Sequence, residues 1–378
     1  MPLVYFQEQS AMSISVKPLF LAAFLSLALN IVQAAEIDPA GDLKIQADKL
    51  VKVENPEYLA SVKRVAIANF MVDFVSELKY SKGLSGFEAM MGADSNVSIK
   101  LVGGNNELYQ SITDKFYQQT VEQLKARGIE VLSHEELTAL PEFKELAGRG
   151  LTPLPSEQDA KSGKGLFFSA QGLPLYLFDE AQFITSISLF SKPKQDDFLT
   201  FGSRFSGNFS AGQNQQLEEA IAKKLGVHLL KVRLTVMGGQ LTPDTSFWGS
   251  GRVTTRAAAS FVDFVTRYAF ITPEGKKARV SLKETVHTKD IGELVNITSV
   301  GSKTADTVQN VAVVALNVAS LAARFSGVGV PSMNNAYASS IDYECRVQPE
   351  PFEKTLLNHH NAIAGMFGEK ILNPLTTQ

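Results

Sequence analysis

The chain predicts an α/β (α+β) protein, a mixed sheet flanked by helices with an inserted β-rich region. Three observations predict it. Between residues 62 and 137 short apolar runs alternate with amphipathic stretches in the order strand, helix, strand, helix. A second helix closes at Leu225-Gly226 and leads directly into the long apolar run 227–236. A turn sequence, Thr272-Pro273-Glu274-Gly275-Lys276, separates two further runs of strand character and predicts a hairpin.

The elements follow in order. Residues 19–32 are almost wholly apolar, follow Lys17 and end in Val32-Gln33-Ala34. That length suits the h-region of a secretion signal and falls short of the ~20 residues a membrane-crossing helix needs. Cleavage is expected after Ala34, and Met12-Ser13-Ile14-Ser15-Val16-Lys17 makes a better amino-terminal region than residues 1–11, so translation is expected to begin at Met12. Residues 35–62 read as an extension or short helix, 63–148 as the first part of an α/β domain, 149–215 as a β-rich insertion and 216–378 as the second part.

Within these limits, 62–70 is a buried strand with bases at its entrance. Residues 76–106, rich in Gly, Ser and Asn, read as a long loop or hairpin insertion. Leu108, Ile112, Phe116, Val121 and Leu124 recur at helical spacing, with Lys125 and Arg127 before Gly128. Residues 129–132 make a short strand, and Ser133 with Glu136 three residues on makes a capping box. The run 183–190 is expected in an added sheet, 217–225 in a helix, 227–236 in a long strand and 352–371 in a closing helix. Residues 308–325 are nearly uncharged and rich in Ala and Val. They read as a core helix or, through Val311, Val314, Leu316, Val318, Leu321 and Phe325, as an interface with a membrane or partner; the interspersed Asn residues and Arg324 argue against a permanent transmembrane helix.

Composition excludes several classes. A formal charge of −3 suggests neither nucleic acid nor an anionic membrane surface as partner. Cys345 is the single cysteine, so an internal disulfide is impossible and no cysteine follows the h-region for lipid attachment. The histidines His134, His228, His287, His359 and His360 lack metal-ligand spacing; His359-His360 reads as a solvated pair and His228 as an ordinary, partly buried strand residue. Asp94-x-Asn96-x-Ser98 opens like a calcium loop but carries Ile99 where glycine is needed. Gly163-Lys164-Gly165 and Gly327-x-Gly329 fail as phosphate loops. Arg346 could lower the Cys345 pKa, yet no histidine is near it in sequence. Acid pairs such as Asp196-Asp197 and Glu218-Glu219 read as solvated faces. The sequence therefore assigns no catalytic residue, no metal ligand and no cofactor, and the balance favours a binding or assembly protein over an enzyme.

The order of elements resembles the periplasmic domain shared by the curli-secretion channel lipoproteins and the outer-membrane activators of penicillin-binding proteins. The resemblance rests on the strand 64–70, the strand and short helix 128–137, the helix-to-strand step 222–232, the turn 272–276 and the helix 352–371. It implies an exported, non-enzymatic periplasmic protein; the missing lipidated cysteine and the insertions at 76–106 and 149–215 depart from the pattern. The expected partner is another envelope protein, an outer-membrane component or a second copy. The alternative is a soluble periplasmic enzyme or small-ligand binder with a site on the Gly-rich stretches, near Gly103-Gly104 or Gly238-Gly239. The sequons at Asn96, Asn208 and Asn296 also admit a secreted eukaryotic glycoprotein.

Overall fold

Where Lys63-Arg64 gives way to an unbroken apolar run, the chain enters its longest strand, and the rest of the fold is arranged about it. The computed structural model of the chain describes residues 35–81, 94–160, 163–176, 211–243, 253–298 and 338–374. It begins with β1 (Ala35–Glu36), α1 (Leu43–Leu50) and β2 (Val51–Glu54). Asp42 starts α1 by accepting from the amides of Lys44 and Ile45. The long strand β3 (Arg64–Ser81) and β4 (Asp94–Val102) lead to α2 (Asn106–Lys125), capped by Asn105 through the Leu108 amide. Next come β5 (Glu130–Val131), α3 (His134–Thr138) and α4 (Pro141–Gly148); Ser133 and Glu136 form the reciprocal capping box before α3. β6 (Ser156–Ala160) and β7 (Gly163–Ser169) pair with each other, and α5 (Ala211–Leu225) passes through Gly226 into β8 (His228–Pro243). The last elements are β9 (Val253–Phe261), β10 (Arg267–Ile271), β11 (Lys277–Leu282), β12 (Val286–Asp290), β13 (Gly292–Asn296), β14 (Ala338–Val347) and α6 (Pro349–Leu372).

The fold is α/β: one large mixed sheet flanked by helices. β3 lies beside β8 in parallel and beside β7 in antiparallel, and β8 in turn carries β10, β11 and β2. Beyond Val75 the partners change. The far half of β3 pairs with β4, β4 with β14 and β14 with β13, while the far half of β8 pairs with β9 and β9 with β12. β12 continues into β13 through Ile291, whose amide donates to the Ala257 carbonyl of β9 at 2.7 Å. The two ends of this strand series are thus joined by the chain at Ile291, with β13 paired to β14 alone among the described strands.

Alternation divides the sheet into two faces. Phe70, Val72 and Phe74 of β3, with Leu230, Val232 and Leu234 of β8, point to one face and are essentially inaccessible. There Phe74 stacks on Tyr109 of α2 at 4.5 Å, and Tyr268 meets Phe367 of α6 edge-on at 4.9 Å. α2 and α6 are tied by Arg127, which donates to the Gly365 carbonyl and to Glu369, both at 2.9 Å. This is the apolar core. The opposite face is different.

Of the two readings of 76–106, the hairpin is the one observed: the end of β3 pairs antiparallel with β4, and only 82–93 lie outside the described residues. In β4 Val97, Ile99 and Leu101 face inward between Ser98 and Lys100, an alternation over polar residues that left loop and hairpin both open in the sequence. Other expectations are revised or extended. Residues 35–62 contain the expected short helix as α1, and they are joined to the main fold, because β2 pairs with β11 and α1 packs beside α6. The first of the two strand runs flanking the 272–276 turn, residues 261–271, is broken by a single helical turn, Asp263–Val265, before the hairpin β10–β11. The runs 183–190 and 308–325, with Val311, Val314, Leu316, Val318, Leu321 and Phe325, lie outside the described residues, as do Asp196-Asp197, Asn208 and Gly327.

Candidate functional site

A one-residue bulge at Ala68 decides what the second face carries. Pairing of β3 with β8 shifts between Ile67 and Asn69, so Asn69 comes opposite Lys231, Met71 opposite Arg233 and Asp73 opposite Thr235. Successive strand pairings then lay a row across the sheet: Asn69, Lys231, Ala269, Arg279 and Glu54. The neighbouring row contains Met71, Arg233, Arg267, Ser281 and Lys52. Charged residues on an alternating strand ordinarily face water. Here Asn69, Asp73, Lys231, Arg233 and Arg267 are all at most 4% exposed.

α5 covers part of this layer. Asn214, Glu218, Ile221 and Ala222 recur along one side of the helix and form its buried stripe. Glu218 is 2% exposed and accepts from the Lys231 ammonium at 2.6 Å. Glu218-Glu219 is therefore no solvated pair: its first member closes on a cation that would otherwise be stranded in the sheet. A buried pair of this kind costs about as much desolvation as it returns in attraction, so it is not a source of net stability. Tyr176 lies beside Glu218, and burial together with that charge holds the phenol pKa well above its ordinary value. Asn69 donates to the Tyr176 carbonyl at 2.9 Å, fixing the stretch after β7 over the layer.

Asp73 is the most perturbed acid of the layer. It is wholly buried, and neither oxygen has a hydrogen-bond partner. Burial raises its pKa to about 7, against the opposing pull of Arg233. Gly165 of β7 leaves the room the carboxylate occupies: a Cβ there would lie 2.6 Å from Asp73 Oδ1.

Beside the Lys231–Glu218 pair opens a cleft of about 200 Å³ between α5, the β10–β11 hairpin and the end of β2. It exists because Ala269 is the short member of the row, between Lys231 and Arg279. Glu218 and Lys231 form its buried end, while Lys277 stands exposed at its mouth and donates to Gln215 at 2.6 Å. A larger depression of about 600 Å³ runs along the outer side of α2. Its polar groups are engaged locally, Gln110 with Asp114 and Lys115 with Glu353, as on any solvated helix.

The residues singled out by sequence fall elsewhere. Cys345 on β14 is buried, and burial, then the charge of Asp290, raises its thiol pKa to about 11; Arg346 does not activate it and instead pairs with Glu344. His359 and His360 are not a solvated pair. His360 is inaccessible, stacks on Phe116 at 4.1 Å, meets Gln119 through Nδ1 at 2.7 Å and is lowered by burial to about 3. His359 is 5% exposed and turns the other way, its Nδ1 2.9 Å from the Thr355 carbonyl. His228 is buried with Nε2 on the Tyr58 carbonyl, and His287 is lowered to about 4, first by burial.

The glycine pairs are places of close packing. A Cβ on Gly103 would come 2.2 Å from the Val347 carbonyl oxygen and one on Gly104 2.2 Å from the Tyr109 hydroxyl. Gly238 and Gly239 lie under Leu101 and Ile99 in the same way. Asp94, Asn96 and Ser98 belong to β4, which has no loop geometry for calcium. Among the described residues no group of three or more His, Cys, Asp or Glu is placed to hold a metal, and no helix is long and apolar enough to cross a membrane.

No known family, characterised protein or solved structure matches the chain. The sequence signals for the charged layer were the alternation Lys231-x-Arg233 in a strand between apolar neighbours and Glu218 on the apolar stripe of α5. Neither points to a site until helix and strand are brought together.

Proposed function

We propose that the protein is an exported, non-enzymatic component of a bacterial envelope that binds another envelope protein or an outer-membrane component, or associates with itself. The observation that carries binding over catalysis is the state in which the fold holds its reactive groups. Cys345 is raised to about 11, and His287 and His360 are lowered to about 4 and about 3. At neutral pH the thiol keeps its proton and both rings are neutral. Asp73 titrates near neutrality but has no exposed surface. General acid–base work needs a matched pKa and reach to the substrate together, and none of these groups combines them.

Export is supported by the apolar run 19–32 and the small residues ending at Ala34. The similarity of the element order to the curli-secretion and activator domains supports the same compartment. In this reading the contact is made through 308–325, by Val311, Val314, Leu316, Val318, Leu321 and Phe325. Cells making the carboxyl-tagged protein are fractionated, the membranes washed with salt and carbonate, and the product's amino terminus sequenced. A mature chain starting at Ala35 in periplasm or washed outer membrane is expected. An uncleaved chain confined to the cytoplasm refutes export. Val314→Asp should release a membrane- or partner-bound form while the chain stays folded; loss of folding instead assigns the run to the core.

A further inference from the structure

We infer that the signal segment is removable only before the protein folds, because the fold takes the first mature residues into its sheet and seals the scissile bond. The inference rests on the export reading, with cleavage after Ala34, and adds the order in which cleavage and folding occur.

The first observation is where the sheet begins. Ala35 and Glu36, the residues that follow the cut, form β1 and pair in parallel with Val286 and His287 of β12. Ala35 is 8% exposed, and Ile37 is 2% exposed within the apolar core. The second observation is how the chain is held behind them. Asp38 accepts from the Gly41 amide through its carbonyl and from the Ala40 amide through its carboxylate, both at 3.0 Å. Gln46 of α1 closes on the same residue, donating to its carbonyl at 2.9 Å and accepting from its amide at 3.1 Å. α1 is tied in turn to α6, where the buried Lys370 donates to Asp48 at 2.5 Å. Strand, turn and helix thus follow the cut with no loose leader between them.

An enzyme that takes a peptide in extended form pairs with its backbone groups, and proteolytic cutting concentrates at exposed, loosely held segments. In the folded chain the backbone just past the scissile bond is committed to β12, and Ile37 must leave the core before it can be offered. Withdrawing a buried isoleucine lowers the accessible fraction by about tenfold to a hundredfold. Cleavage adds water across the Ala34–Ala35 amide, leaving a carboxylate on Ala34 and an ammonium on Ala35. A chain that folds first keeps this bond and stays joined to the apolar run 19–32. Release of the mature protein therefore depends on cutting ahead of folding.

The test uses the whole 378-residue precursor in detergent and a purified bacterial signal peptidase. Precursor unfolded in urea is diluted into the protease either at once or after circular dichroism shows that it has refolded, and the products are identified by mass. Cutting after Ala34 on immediate dilution, slower by about tenfold or more once the chain has refolded, is expected. About eight Gly and Ser residues inserted after Glu36 carry the scissile bond clear of the sheet and should restore cutting of the refolded chain. Ile37→Ala loosens β1 and should raise the native cutting rate several-fold; should it fail to refold, the insertion decides. A parent uncut in both states beside an insertion variant that is cut supports the inference, with folding outrunning the protease. Equal cutting of the parent before and after refolding, or an insertion variant as resistant as a refolded parent that was cut when unfolded, overturns the inference and leaves the export reading standing. No cutting after Ala34 in any form, the insertion variant included, refutes the export reading and the inference with it.

Discussion

Replacing Asp73 by Asn should make the protein more stable at neutral pH and leave it nearly unchanged in mild acid. The carboxyl has no exposed surface and no hydrogen-bond partner, and burial lifts its pKa from 3.8 to about 7. In the unfolded chain the group releases its proton near the ordinary value. Between about pH 4 and 7 the folded protein therefore keeps a proton that the unfolded chain has lost, and stability falls as pH rises through that window and levels off above it. At about 1.4 kcal/mol per unit, the shift sets a ceiling of about 4 kcal/mol on the effect. Asn has the shape of the protonated acid and cannot ionise. Urea unfolding followed by circular dichroism is measured for both proteins from pH 4 to 8. His287 and His360, lowered to about 4 and about 3, impose the opposite trend, a loss of stability as pH falls below about 6.5. They act equally in both proteins and cancel in the difference. That difference should be near zero at about pH 4 and grow towards the ceiling by pH 8. A constant difference, or a variant less stable than the parent at pH 8, would show that Asp73 is ionised and held by Arg233, and the reasoning would fail.

Glu218→Ala leaves Lys231 charged and unpaired in the interior and should cost about 3–5 kcal/mol, whereas the double change Glu218→Met with Lys231→Met should cost much less; urea midpoints of the two decide. Cys345 should resist a disulfide-exchange thiol reagent at pH 8 in the native protein and react at once in urea, since burial withholds both proton loss and access. Rapid native labelling would contradict the position of β14. Gly239→Ala combines a φ of +98° with an added methyl 2.7 Å from Ile99 and should lower stability by about 1–3 kcal/mol, seen as a reduced denaturation midpoint at unchanged slope.

The sequence by itself determined the elements whose signals are local. α2, with its apolar stripe and Gly128 stop, the Ser133–Glu136 box, the passage from Leu225-Gly226 into β8, the β10–β11 turn and the closing helix were all legible, because caps, glycine stops and helical periodicity are settled within a few residues. The sheet face was not. Whether Lys231, Arg233 and Asp73 meet water or protein depends on a bulge at Ala68, on which strands flank β8 and on a helix laid across them. The β3–β4 hairpin was one of two readings open for 76–106, whereas the pairing of β4 with β14, far away in sequence, was not legible. Glu218 and Lys231 are 13 residues apart on different kinds of element. Their pairing, and the cleft left by Ala269 beside them, are properties of how those elements pack. Tertiary structure alone decided them, because burial and charge pairing are set by neighbours that the local sequence does not contain.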